Sequence, residues 1–164
     1  MTIIVPAKTQ TDFKIIEHLA NRIWTEHYTP IIGKDQVSYM LQKFQSAAAI
    51  EDQVQNGMVY YLLIYEDKEV GYFSFSRQEG ALFLSKIYVL NSLRGRGIGS
   101  ATISFLEKQA KKLDLHKIKL TVNRFNSSSI KAYEKMGFKN VGTTVQDIGG
   151  GFVMDDFILE KPVK

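Results

Sequence analysis

The sequence predicts an α/β fold with a mixed sheet, in a single domain over residues 1–164. Two observations predict it. Strand-like segments follow one another from residue 58 to residue 90, separated by short polar or glycine-containing turns. From there strand-like and helical patterns alternate, as they do in strand–helix–strand units. A chain of 164 residues is also long enough to bury a sizeable core in one domain.

Each element follows from its own pattern. Dense or alternating apolar residues predict seven strands, over residues 2–6, 58–65, 70–76, 82–90, 117–123, 138–147 and 152–160. Helical spacing begins after a predicted N-cap at Thr11 or Asp12, and the stretch 28–33 interrupts it. Further helical patterns start near Asp35 and cover residues 50–55, 98–113 and 127–136. Seven strands, mostly antiparallel, and four or so helices are therefore expected.

Composition excludes several classes of protein. The chain has no cysteine, which rules out disulfides, thiolate metal sites and a cysteine nucleophile. No apolar run reaches membrane-spanning length, and the N-terminus lacks a signal-peptide pattern, so we expect a cytoplasmic protein without a membrane partner. The net charge is +4, and basic residues cluster loosely in the second half of the chain. Because no stretch interleaves aromatic with basic residues, no nucleic-acid partner is expected. A monomer or a homodimer is compatible with these features.

The stretch Leu82–Ala110 contains a strand, a glycine-rich turn and a helix in that order. The first N–H groups of a helix have no partner within it and lie at the positive end of its dipole. Glycines allow an anion to approach these donors closely, and Arg94 and Arg96 add positive charge. The turn therefore predicts an anion site, most naturally for a pyrophosphate. A helix-starting turn that needs glycine only for its geometry is the alternative.

Two motifs decide in favour of the anion site. Arg94-x-x-Gly97-x-Gly99, following the strand ending in KIYVL, resembles motif A of the GNAT superfamily of acyl-CoA-dependent N-acetyltransferases. About thirty residues later, the stretch from Asn126 to Phe138, with Tyr133 in its helix, resembles motif B. The resemblance covers roughly residues 60–161. It implies a mixed sheet whose parallel central pair splays apart, and acetyl-CoA as cosubstrate.

The resemblance also implies roles for particular residues. It places the cofactor against Ile87, Tyr88, Val89, Arg94, Gly95, Arg96, Gly97, Ile98, Gly99, Ser100, Asn126, Ser128 and Tyr133. The Val89 N–H would stabilise the oxyanion that forms from the thioester. The Tyr133 hydroxyl would protonate the leaving thiolate, although on spacing alone Tyr133 reads as a packing residue. Asn126 would either cap its helix or bind the pantetheine arm.

The general base is the weak part of the resemblance. Many relatives carry a glutamate on the fourth strand, whereas the matching stretch here is Leu84-Ser85-Lys86 and contains no acid. Ser85 could hold a relaying water, and His27 and Glu26, at the end of the first helix, are the other candidates for the base. For the acceptor pocket the candidates are Trp24, Tyr28, Tyr39 and Phe73, with Asp155 and Asp156 as carboxylates for a cationic amine. Each aromatic could equally belong to the core.

These observations predict an enzyme that transfers acetyl from acetyl-CoA to a primary amine by direct attack in a ternary complex. The expected acceptor is a small molecule, since the N-terminal half and the MDDFILEK ending resemble bacterial polyamine acetyltransferases. Three alternatives stay open. The acceptor could be a protein or peptide amine, the fold could serve as a non-catalytic acyl-CoA sensor, or the chain could be a basic nucleic-acid-associated domain.

Overall fold

The computed structural model describes residues 1–164, apart from the side chain of Lys86. In chain order the strands are β1 (Thr2–Ala7), β2 (Val59–Tyr65), β3 (Lys68–Gln78), β4 (Ala81–Val89), β5 (Lys117–Asn123), β6 (Lys139–Gly149) and β7 (Phe152–Pro162). The helices are α1 (Gln10–Ile32), α2 (Lys34–Phe44), α3 (Ala47–Gln55), α4 (Ile98–Lys112) and α5 (Ser127–Lys135), with a 3-10 turn at Asn91–Leu93. The predicted mixed α/β fold is confirmed.

The chain forms two compact units. The first contains residues 1–76 and 86–101, and the second contains residues 77–85 and 102–164. The chain passes from one unit to the other within β3, β4 and α4. That the chain is one domain stays a prediction.

In the first unit the strand order is β1-β2-β3-β4. β1 and β2 pair antiparallel from Thr2↔Tyr65 to Ala7↔Tyr60, and β2 pairs antiparallel with β3. Pro6 lies in β1, an edge strand, where proline is tolerated. Helices α1, α2 and α3 pack together beside these strands.

Helix α1 begins earlier and ends later than its sequence pattern predicts. The N-cap is Thr9, and not Thr11 or Asp12 as predicted. Thr9 and Asp12 form a capping box, in which the side chain of each residue accepts a hydrogen bond from the backbone N–H of the other. The helix continues through Pro30 to Ile32. Since Pro30 lies in the last turn, it removes only one helical bond there. Gly33, at φ +87°, ends the helix and donates its N–H to the Thr29 carbonyl at 3.0 Å.

In the second unit the order is β4-β5-β7-β6. β4 and β5 form the predicted parallel pair, in register from Ala81↔Lys117 to Phe83↔Lys119. β7 pairs antiparallel with both β5 and β6. Buried Leu106, Ile118, Leu120, Phe138 and Leu159 supply the core of this unit. Among the described residues, no helix is both long and apolar enough to cross a membrane.

Candidate active site

The glycine-rich turn of the first unit has the backbone that the motif predicts. Gly95 and Gly97 have φ values of +79° and +77°, which favour glycine, and a Cβ at either position would meet nothing within 4 Å. Arg94 and Arg96 are exposed on the same turn, and α4 begins immediately afterwards at Ile98. The open turn, the two guanidinium groups and the N-terminus of α4 together fit a pyrophosphate.

The backbone of β4 directs one N–H away from β3. Leu90 donates its N–H to the Val70 carbonyl at 2.8 Å, and the Tyr88 carbonyl oxygen also lies against β3, beside Gly71. Successive peptide groups of a strand point to opposite sides. The N–H of Val89 therefore points away from β3, as a donor to a ligand requires.

An aromatic cluster lies beside this end of β4 in the first unit. Tyr88 contacts Trp24, Tyr72 and Tyr28, with ring centroids 5.2, 5.5 and 5.9 Å away. His27 packs edge-on against Tyr28 at 4.8 Å. Four of these five rings were predicted site residues, and only Tyr72 was not. In the sequence, Tyr72 could be recognised only as part of an alternating strand. That pattern does not predict which face of the strand contacts α1.

Phe73 is a predicted pocket residue that does not join this cluster. It is fully buried and stacks on Tyr61 at 5.0 Å with an interplanar angle of 11°. Because side chains alternate along a strand, Tyr72 and Phe73 point to opposite faces of β3. Phe73 is thus a core residue at the Tyr61 stack.

Trp24 and Tyr72 belong to a buried hydrogen-bond chain. The Trp24 indole N–H donates to the Tyr72 hydroxyl at 3.1 Å, and this hydroxyl donates to Gln45 Oε1 at 2.6 Å. The Tyr60 hydroxyl in turn donates to Gln53 Oε1 at 2.5 Å. Burial raises the pKa of Tyr60 to about 12 and that of Tyr72 well above its usual value. These two hydroxyls are therefore neutral and hold the cluster in place.

His27 contacts the glycine-rich turn directly. Arg94 Nη2 and His27 Nδ1 lie 3.2 Å apart. Because arginine has donors only, Nδ1 must accept, and the proton of a neutral ring is then on Nε2. The structure therefore places His27 as a hydrogen-bond partner of Arg94, and its role as base stays a prediction.

The second unit contains the remaining predicted residues. Tyr133 lies half-buried on α5, and its ring packs edge-on against Phe138 at 5.5 Å. Asn126 is buried at the N-cap of α5, although its side chain makes no capping bond to that helix. Ser128 is exposed in the first turn of the same helix, and Ser85 is half-buried on β4.

The two acids of β7 lie in different surroundings. The Asp155 carboxylate forms an ion pair with the Arg124 guanidinium at 2.8 Å. Asp156 is buried, with 4% of its surface exposed. Burial, and after it the charge of Asp155, raise the pKa of Asp156 to about 6, although a hydrogen bond with Thr121 lowers it. The sequence analysis predicted both acids as candidate carboxylates, but it did not predict which one is buried.

Comparisons with known proteins agree with the fold and the motifs. The model of the Acetyltransferase (GNAT) family matches residues 16–138. No curated protein sequence matches the chain.

Several solved structures are similar in fold. The PaiA N-acetyltransferase of Thermoplasma acidophilum, solved in complex with coenzyme A, is 21% identical over 99% of both chains, with a TM-score of 0.80. The ribosomal-protein-S18-alanine N-acetyltransferase of Escherichia coli is 18% identical, with a TM-score of 0.71, over 100% of this chain and 95% of that one. A chimera of the spermidine N-acetyltransferase SpeG of Vibrio cholerae with hSSAT is 18% identical, with a TM-score of 0.70, over 98% and 95%.

Proposed function

This chain belongs to the GNAT family of acetyl-CoA-dependent N-acetyltransferases, and we propose that its acceptor is a small primary amine such as a polyamine. The observation that carries this proposal is the cluster of Trp24, Tyr28 and Tyr88 around the end of β4. Aromatic faces attract cations, and most amines are cationic at neutral pH. The fold alone does not select the acceptor, because similar structures include enzymes named for spermidine and for a ribosomal-protein alanine.

We assign the binding of acetyl-CoA to residues of both motifs. The turn Arg94–Gly99 would hold the pyrophosphate through its guanidinium groups and the first N–H groups of α4. Ile87 and Val89 would bind the pantetheine arm through their backbones. The cosubstrate supplies an acetyl group activated as a thioester.

The chemistry assigned to the chain needs two groups at the reacting centre. The Val89 N–H would donate to the carbonyl oxygen, where negative charge develops as the amine attacks. The Tyr133 hydroxyl would give its proton to the departing thiolate. A phenol with a pKa of about 10 is a weaker acid than a thiol at about 8.5, so this transfer requires the two groups to be in contact.

Release of free thiol from acetyl-CoA tests the acceptor class. The panel should contain polyamines, aminoglycosides, amino acids and short peptides with free N-termini. Because the protein has no cysteine, a thiol reagent reports coenzyme A only. Turnover with polyamines would support the proposal, and turnover restricted to peptides would replace it with a protein acceptor. If acetyl-CoA raises the melting temperature but no amine reacts, the chain is an acyl-CoA sensor.

Replacing Tyr133 by phenylalanine tests the acid. The variant keeps the ring that packs on Phe138 and removes only the hydroxyl. We expect kcat to fall about a hundredfold while the Kd of acetyl-CoA barely changes. Tyr65→Phe is the matched control, since Tyr65, the last residue of β2, belongs to neither motif. Unchanged turnover in the Tyr133 variant would remove this residue as the acid.

A further inference from the structure

The second unit contains an open cavity at the place where the turn between β3 and β4 meets the start of β5. Its volume is about 490 Å³, which is in the range of cavities that hold small molecules. The described residues that line it all belong to the second unit and lie outside both motifs; they are Arg77, Gln78, Glu79, Ala81, Lys117 and Lys119. The cavity is therefore a feature of this unit that the acetyltransferase motifs do not explain.

Backbone hydrogen bonds fix the walls of this cavity. β4 and β5 run parallel there, with Ala81 in register with Lys117. The His116 N–H donates to the Gly80 carbonyl at 3.0 Å, and the Val163 N–H donates to the His116 carbonyl at 2.8 Å. These bonds tie the turn between β3 and β4 to the start of β5 and to the end of the chain. The lining side chains are thus held on an ordered part of the sheet.

Two lysines of β5 face the cavity side by side. Lys117 and Lys119 point to the same face of the strand, because side chains alternate along it. Glu160 of β7 is in register with Lys119, yet its carboxylate pairs with Lys117 at 3.1 Å. Lys119 is half-buried, and among the described side chains no ion pair involves it. The one carboxylate beside the two lysines is therefore already taken by Lys117.

The charge of the lining is positive. The exposed Arg77 also takes part in none of the ion pairs between described residues. Glu79 is the acid among the described lining residues, and it offsets only one of the two unpaired cations. A cleft lined by positive charges concentrates anions and repels cations. A guanidinium binds a phosphate or carboxylate group with two parallel hydrogen bonds, and a lysine ammonium has three donors.

We propose that this cavity binds a small polyanion, a molecule with two or more phosphate or carboxylate groups. The Arg77 guanidinium binds one anionic group and the Lys119 ammonium binds a second one. Glu160 keeps the Lys117 ammonium in place. This inference goes beyond the acetyl transfer reaction, and it holds whichever amine is the acceptor.

The test is a calorimetric titration with two probes, tripolyphosphate and citrate, in salt of about 0.15 M, which screens attraction between distant exposed charges. The protein is first saturated with acetyl-CoA, which fills the proposed pyrophosphate site. We expect one probe molecule per chain, and the tighter probe identifies the preferred anionic group. Lys119→Gln and Arg77→Gln should each raise the Kd of that probe about tenfold, because each removes a charge-assisted hydrogen bond. Since Arg77 is exposed, its variant keeps the proposal testable if Lys119→Gln does not fold.

Two further variants make the test specific. Glu79→Gln removes the negative charge from the lining, so the Kd of the probe should fall about twofold or more. Lys161→Gln is the matched control. Lys161 is in register with Ile118, on the opposite face of the sheet from Lys119, and it pairs with Glu107 at 2.9 Å. Its replacement removes the same charge as Lys119→Gln, but the Kd should stay unchanged.

The outcomes also separate this inference from the proposed function. If neither probe binds at millimolar concentration, the inference is wrong. It is also wrong if Lys119→Gln and Lys161→Gln weaken binding equally, because binding then follows the overall charge of the protein. If acetyl-CoA itself does not bind, the proposed function fails, but the same four variants titrated without acetyl-CoA still test the cavity.

Discussion

Replacing Gly71 by alanine should separate β3 from β4 at the point where the site is built. A Cβ added at Gly71 would lie 2.2 Å from the Tyr88 carbonyl oxygen and 3.1 Å from the Val89 Cα. Real Cβ contacts are essentially never under 3.0 Å, so the two backbones must move apart by close to 1 Å. Both partners are backbone atoms, so a side-chain rotation does not relieve the contact.

The cost follows from what this movement disturbs. Overpacking of a buried site costs about 1–3 kcal/mol. The neighbouring bond from the Leu90 N–H to the Val70 carbonyl, now 2.8 Å, would lengthen and lose about 1 kcal/mol. Together these predict a loss of about 2–4 kcal/mol in the free energy of unfolding. For a chain of this size that lowers the melting temperature by roughly 4–16 °C.

Urea unfolding and the Kd of acetyl-CoA are the two measurements, and Gly142→Ala is the matched control. A Cβ at Gly142 would meet only Ile158 Cδ1, at an ordinary 3.9 Å. The control should therefore change stability by less than about 1 kcal/mol. Gly71→Ala should also weaken acetyl-CoA binding, because Val89 moves. A Gly71 variant as stable as the control would refute the reasoning.

Two other substitutions test the contacts around the aromatic cluster. Trp24→Phe removes the indole donor to Tyr72 and part of a buried ring. The free energy of unfolding, measured by urea titration, should therefore fall by about 2–4 kcal/mol. An unchanged urea midpoint would contradict the buried hydrogen bond. His27→Ala removes the hydrogen bond that holds the Arg94 side chain. Acetyl-CoA must then order this side chain when it binds, which costs free energy. The Kd of acetyl-CoA, measured by calorimetry, should therefore rise about 2–10-fold. Glu26→Ala, an exposed neighbour on the same helix, should leave that Kd unchanged.

Local patterns in the sequence were enough for much of the fold. Dense or alternating apolar residues predicted the seven strands, because a buried strand is apolar throughout and a half-buried strand exposes every second side chain. The glycines of the turn 94–99 predicted a site open to an anion, because a residue without a Cβ accepts positive φ values. The limits of α1 were predicted less well. Its start depends on reciprocal bonds between Thr9 and Asp12, and its end on Gly33.

Other features of the site depend on contacts between segments that are distant in the sequence. His27 and Arg94 are 67 residues apart, so no local pattern predicts that they share a hydrogen bond or that the bond occupies the histidine lone pair. The same holds for Trp24 and Tyr72, which are 48 residues apart.

The acids of β7 show this division most clearly. Alternation along a strand requires Asp155 and Asp156 to point to opposite faces, and the sequence alone determines that much. The register of β7 against β5 then decided which acid is buried beside Thr121 and which one pairs with Arg124. Burial, in turn, raises the pKa of Asp156 to about 6.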